Sequence, residues 1–204
     1  EGRYLFQEGW DAGQRLVIAM WDTTQGKIVR RLSVPGKRLS SLVVTGGGKL
    51  AGSSSDGAVL LWDLEAGHEE RRLSGPFVSG PGLAPGAGNT LAIANDHVEL
   101  WDVATGGRRL ALEGLDAVSI AAVSEEGHRI AGWNAEHDDL VVWDADSGQV
   151  LARRKGLGRR ITRLRFSADS RALLAVTKAS SDDKGSIVLW TGAHYDVTQR
   201  IHEL

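Results

Sequence analysis

The densest chemistry-bearing stretch in the sequence is RRKGLGRRITRLR, residues 153–165, in which seven of thirteen residues are Arg or Lys and none is acidic. A guanidinium fork binds carboxylate or phosphate oxygens two at a time, so Arg159 and Arg160 are suited to clamp an anion. Arg163 and Arg165 alternate with Leu164 and Phe166, which sends them to one side of an extended strand. Lys37 and Arg38 stand in an earlier link, and these six cations make up the candidate partner-binding set. The competing reading pairs such charges with Glu125, Glu126, Asp182 and Asp183, because basic clusters often have intramolecular partners.

Other constellations point away from catalysis. His97, His137 and Asp138-Asp139 lie in turns, and a His beside an Asp suggests a general base. No Ser or Cys nucleophile sits in a G-x-S-x-G elbow. The six histidines show no metal-ligand spacing, and the chain has no cysteine. Gly46-Gly47-Gly48-Lys49 resembles a fragment of a phosphate loop but lacks the Ser or Thr and the helix such a loop needs. No catalytic residue, metal or cofactor is therefore expected. Arg pairs recur at 30–31, 71–72, 108–109 and 153–154. They read either as a ring of cationic contacts or, more simply, as edge charges that discourage sheet-to-sheet pairing. Trp133 reads as core packing, and Trp10, in a polar link, as an interaction anchor if it is exposed.

The elements that carry these residues are short strands. The chain has 204 residues, 42% hydrophobic and 25% charged, with net charge −2, enough for one sizeable core. That charge balance gives no electrostatic support for a global nucleic-acid or membrane-surface role. No apolar run approaches the ~20 residues of a membrane helix, and residues 1–9 lack a signal-peptide pattern. Helical periodicity does not persist, whereas alternating apolar runs recur throughout. Strands are expected near 3–7, 15–21 and 27–33, then 39–45, 49–54, 58–64 and 70–74. A short, irregular strand is expected within 77–85, where Pro81 and Pro85 cannot donate to a ladder. Further strands follow at 90–95, 97–103, 108–113, 117–124, 129–135, 140–145, 149–154, 161–167, 172–178, 186–192 and 196–203. Ser55-Asp56-Gly57 is a tight hairpin turn.

One phrase repeats across these strands. LLWDLEAGHEERRL (60–73) returns as AMWDTTQGKIVRRL (19–32), ELWDVATGGRRL (99–110) and VVWDADSGQVLARR (141–154). A fifth copy, VLWTGAHYDVTQRI (188–201), keeps the Trp and loses the Asp. The repeat residues are Trp21-Asp22, Trp62-Asp63, Trp101-Asp102, Trp143-Asp144 and Trp190, spaced by 41, 39, 42 and 47 residues. A Trp-Asp pair at this period marks four-stranded propeller blades. The chain thus resembles the WD-repeat family over nearly its whole length. The resemblance implies a β-propeller in which a Trp, a turn Asp, a strand-b hydroxyl and a His form a buried network, and in which the Asp after the Trp ends strand c. Asp56 matches the turn Asp and Ser54 the hydroxyl, while Asp96 and Asp138 stand one residue closer to their tryptophans. The His is missing from every blade: Lys37, Pro76, Leu115 and Leu157 follow the glycines in that slot. Water, backbone groups or exposure should then satisfy Asp56.

The expected fold is all-β, with antiparallel four-stranded blades. A partial blade covers 1–34 and complete blades cover about 35–75, 76–114, 115–156 and 157–204. The set reads as part of a larger propeller whose missing blades come from further chain or a partner. Arg163 and Arg165 would then face the central channel. The absence of an initiating Met fits an excised segment. A non-catalytic scaffold that binds other proteins is the expected function. The sensing propeller of a NACHT-type signalling ATPase is a more specific version. An RNA- or phosphate-binding propeller using residues 153–165 is the alternative. The absence of cysteine and of a signal peptide gives an intracellular, cytoplasmic expectation.

Overall fold

The computed structural model describes residues 2–34, 38–75, 77, 80–156, 160–178, 185–192, 195 and 197–202. Lys37, Arg159, Pro76, Leu157, Asp182 and Asp183 lie outside the described residues. All described elements are β-strands in antiparallel sheets, and none is a helix long and apolar enough to cross a membrane. The chain divides into two units, residues 1–44 with 48–81 and residues 45–47 with 82–204.

The first unit holds a three-stranded sheet of β1 (Tyr4–Trp10), β2 (Leu16–Asp22) and β3 (Lys27–Ser33). Its second sheet comprises β4 (Leu39–Val44), β5 (Lys49–Ser54), β6 (Val59–Asp63) and β7 (His68–Leu73). In the second unit the third sheet comprises β8 (Gly82–Pro85), β9 (Thr90–Ala94), β10 (Val98–Asp102) and β11 (Gly107–Leu112). The fourth comprises β12 (Val118–Val123), β13 (Arg129–Asn134), β14 (Asp139–Asp144) and β15 (Val150–Lys155). The fifth comprises β16 (Ile161–Phe166), β17 (Leu173–Thr177), β18 (Ser186–Thr191) and β19 (Val197–His202). Every strand expected from the alternation is present. β8 has only four residues, as the flanking prolines require. β1 runs to Trp10, further than its apolar residues suggested, because polar Gln7 and Glu8 are tolerated on a strand largely open to solvent.

Sheets within each unit stack through apolar faces. Leu16, Ile18 and Leu32 of the first sheet meet Leu50, Leu60 and Trp62 of the second. In the second unit, Ile130, Val141 and Trp143 of the fourth sheet pack on Ala92, Val98 and Leu100 of the third. The opposite face of the fourth sheet, with Ala131, Trp133 and Val142, packs on Leu173, Val188 and Trp190 of the fifth. β12 lies against both β8 and β16, so the first strands of these three sheets are neighbours. Two indoles fasten adjacent sheets. Trp62 Nε1 donates to the Ser33 carbonyl at 3.0 Å, and Trp143 Nε1 to the Glu113 carbonyl at 2.8 Å. Gly52 and Gly132 make room for those rings, since a Cβ on either would come within 2.9 Å of the indole.

The Trp-Asp phrase has a local cause. After the Trp, Asp22, Asp63, Asp102 and Asp144 each turn one carboxylate oxygen onto the next turn. Asp63 Oδ1 accepts from the Glu65 and Ala66 amides at 2.8 and 2.7 Å. Asp22 accepts from Thr24 and Gln25, Asp102 from Ala104 and Thr105, and Asp144 from Asp146 and Ser147. Four residues after each Asp a Gly closes the turn, donating to the Asp carbonyl at 2.7–2.9 Å. These glycines, Gly26, Gly67, Gly106 and Gly148, all have positive φ, which a Cβ disfavours. The inserted residue shows as a register shift at the Trp in all four sheets. The pairing of β18 with β19, where Asp is replaced by Thr191, runs without a shift. This is a β-bulge.

Candidate functional site

The basic stretch 153–165 divides between two strands with different surroundings. On β15, Arg153 lies 3.4 Å and Lys155 3.8 Å from the buried Asp139 carboxylate. Arg153 also donates to the Gly114 carbonyl, and Arg154 to the Tyr195 carbonyl at 2.7 Å. These cations tie the fourth sheet to its neighbours. Arg30 does the same in the first unit, reaching the Glu65 carbonyl at 2.6 Å. Arg160, at the start of the fifth sheet, and Arg163 and Arg165 on β16 are exposed. Glu125 and Glu126, proposed above as their partners, make no ion pair with them. Among the described residues these three arginines are in no ion pair. Arg38 is exposed and lies 3.9 Å from Glu8 in the first unit. Of the six residues, Arg160, Arg163 and Arg165 lie along the first strand of the fifth sheet, and Arg38 belongs to the first unit.

The repeat residues serve the fold. The carboxyls of Asp22, Asp63, Asp102 and Asp144 are held below the usual range by the turn groups that bond to them. For Asp22 the Thr24 hydroxyl and turn amides lower it from the ordinary 3.8 to about 2. The largest cause is the Ala66 amide for Asp63, the Thr105 amide for Asp102 and the Ser147 hydroxyl for Asp144. Asp56 is exposed and accepts from the Ala58 amide at 3.3 Å. Trp133 is core, and its indole N–H donates to Asp138 Oδ1 at 3.4 Å. Trp10 is 63% exposed.

Two polar groupings were not singled out from the sequence. Glu99 on β10 is buried and receives Arg108 Nη1 at 2.7 Å, Trp101 Nε1 at 2.9 Å and His97 Nε2 at 3.3 Å. Burial pushes its carboxyl up, and the bonds from Arg108 and Trp101 outweigh that and lower it. His97, placed in a turn by the sequence, is thus half-buried against a carboxylate. The signal was present: Glu99 stands two before its Trp, where the other copies have Ala19, Leu60, Val141 and Val188. The second grouping lines a cavity of about 790 Å³ in the second unit, between the turns β12–β13, β16–β17 and β18–β19. Tyr195 is buried there, with Phe166 edge-on at 5.9 Å and the Arg129 guanidinium 5.7 Å from its ring centre. Burial raises the Tyr195 phenol above its ordinary value. Among the described residues no three His, Asp or Glu side chains are grouped as metal ligands would be.

Neither the protein-family models nor the curated proteins match this chain.

Proposed function

We propose that this chain is a non-catalytic interaction module built from WD-repeat-type propeller blades, whose exposed anchors bind another protein. The carrying observation is the exposure of Trp10, the most exposed of the large hydrophobic residues described, on the same strand as exposed Tyr4 and Leu5. Large apolar side chains left in water on one rigid strand are the usual anchors of an interface. The propeller reading is supported by the repeated Trp-Asp-Gly turn and by the adjacency of β8, β12 and β16. A larger ring is supported by Trp21. Its counterparts Trp62 and Trp143 donate to a carbonyl of the preceding sheet, whereas the Trp21 indole N–H is buried with no partner among the described residues.

A second reading, binding of RNA or another phosphate-bearing polymer, is favoured by Arg160, Arg163 and Arg165, which no acid neutralises among the described residues. One capture experiment separates the two. The immobilised chain is expected to retain a protein from nuclease-treated lysate, and Trp10→Ala to lose it. Retention of RNA instead, with a steep salt dependence abolished by Arg160→Ala/Arg163→Ala/Arg165→Ala, replaces the first reading by the second. Hydrolase activity that survives purification goes against both.

A further inference from the structure

The fifth repeat breaks the shared turn pattern in three places, and all three line the cavity around Tyr195. Where the other repeats have Asp after the Trp, it has Thr191. Where they have Gly four residues on, it has Tyr195. Tyr195 nevertheless keeps the left-handed backbone of those glycines, with φ +53°. Gly48, Gly88 and Gly127 take positive φ in the first turn of the second, third and fourth sheets. Ser170 occupies that place in the fifth, at +57°. A residue with a Cβ is disfavoured there and persists only where its surroundings hold it. Here the two strained residues hold each other: the Tyr195 hydroxyl donates to the Ser170 carbonyl at 2.7 Å.

The Ser170 hydroxyl is buried and has no hydrogen-bond partner among the described residues. Such an orphan is costly and demands an explanation. Arg129 lines the same cavity, its guanidinium resting on the Tyr195 ring and in no ion pair among the described residues. Arg171 also lines it and is exposed. Two acids are present. The Asp169 carboxylate already accepts from the Ser167 hydroxyl at 2.6 Å and the Arg171 amide at 3.1 Å, and Glu126 is exposed. Beside these carboxylates stand two guanidinium groups, Arg129 and Arg171, and the Ser170 hydroxyl. A guanidinium backed by an aromatic ring, beside an unused hydroxyl, suits a planar or tetrahedral oxyanion.

We propose that this cavity binds a small oxyanion, a carboxylate or phosphate group, between the Arg129 guanidinium and the Ser170 hydroxyl, with Arg171 contributing. The proposal draws on other residues than the interaction reading and does not depend on it. The test is calorimetric titration of the 204-residue chain with inorganic phosphate and with succinate. Saturable binding of at least one probe is expected, weakened about tenfold or more by Arg129→Gln. Ser170→Gly relieves the backbone, so it should melt higher than the parent while binding more weakly. Loss of affinity in that variant cannot be ascribed to unfolding. A phosphoserine peptide run beside inorganic phosphate shows whether a partner's side chain or a free molecule is the better source, and either order supports the site. No binding of any probe, or binding that survives both substitutions, overturns the proposal.

Discussion

Asp22, Asp63, Asp102 and Asp144 each hold a turn closed with one carboxylate oxygen, and that task sets their response to acid. Their folded pKa values lie below the ordinary carboxylate value, so the stability they contribute is complete above the unfolded pKa. It is lost as pH falls toward the folded one. For Asp22 that window runs from its ordinary 3.8 down to about 2. Urea midpoints measured across this range should fall with pH, and Asp22→Asn should flatten the fall because an amide does not titrate. An unchanged slope in that variant would show that the turn bonds do not distinguish the charged form. The spacing of the aspartates was legible in the sequence, but their hydrogen bonds were not, because a repeat specifies a position and not the partner. The basic run 153–165 is the opposite case. It reads as one patch, yet a strand boundary splits it into cations that staple sheets and cations that meet water. Only the partners each side chain meets reveal that split.

At the level of the strand, the glycines under the indoles are the most exacting positions. Gly132 lies where a Cβ would sit 2.9 Å from the Trp143 ring. Gly132→Ala must push the indole away from the Glu113 carbonyl, and it should destabilise the chain by about 1–3 kcal/mol in chemical denaturation, as overpacking does. Substituting Ala at Gly26 instead strains only an open turn, since nothing lies within 4 Å of its Cβ position. The strands themselves were almost fully legible, because half-buried strands alternate and turns carry Gly, Asp and Pro. The bulge was not, since it needs the Asp, the Gly and the register together. Its absence from β18–β19 explains why the fifth repeat could be seen to lose an Asp without revealing that a cavity replaces it.

Burial differs from sheet to sheet. β5, β9 and β13 are buried on both faces over nearly their full length, whereas β2 and β17 alternate between buried and half-buried residues. Local opening tracks the apolar contacts an element makes. Amide hydrogen exchange should therefore be slowest in β5, β9 and β13 and faster in β2 and β17. Equal protection in all five would contradict that ordering. The division into five sheets was legible because each repeat Trp marks the strand before the last of its sheet, but which faces are covered depends on packing that no single repeat encodes. The closed turns have a last consequence for variation. Between each capping Asp and its Gly, two neighbouring residues are exposed: Thr24-Gln25, Glu65-Ala66, Ala104-Thr105 and Asp146-Ser147. Their amides are held by the capping carboxylate, and in two turns a hydroxyl joins them, Thr24 donating to Asp22 and Ser147 to Asp144. The four turns therefore share a frame but differ in how freely they can be rewritten: Glu65-Ala66 is held through its amides, whereas Thr24 and Ser147 are part of the cap they display.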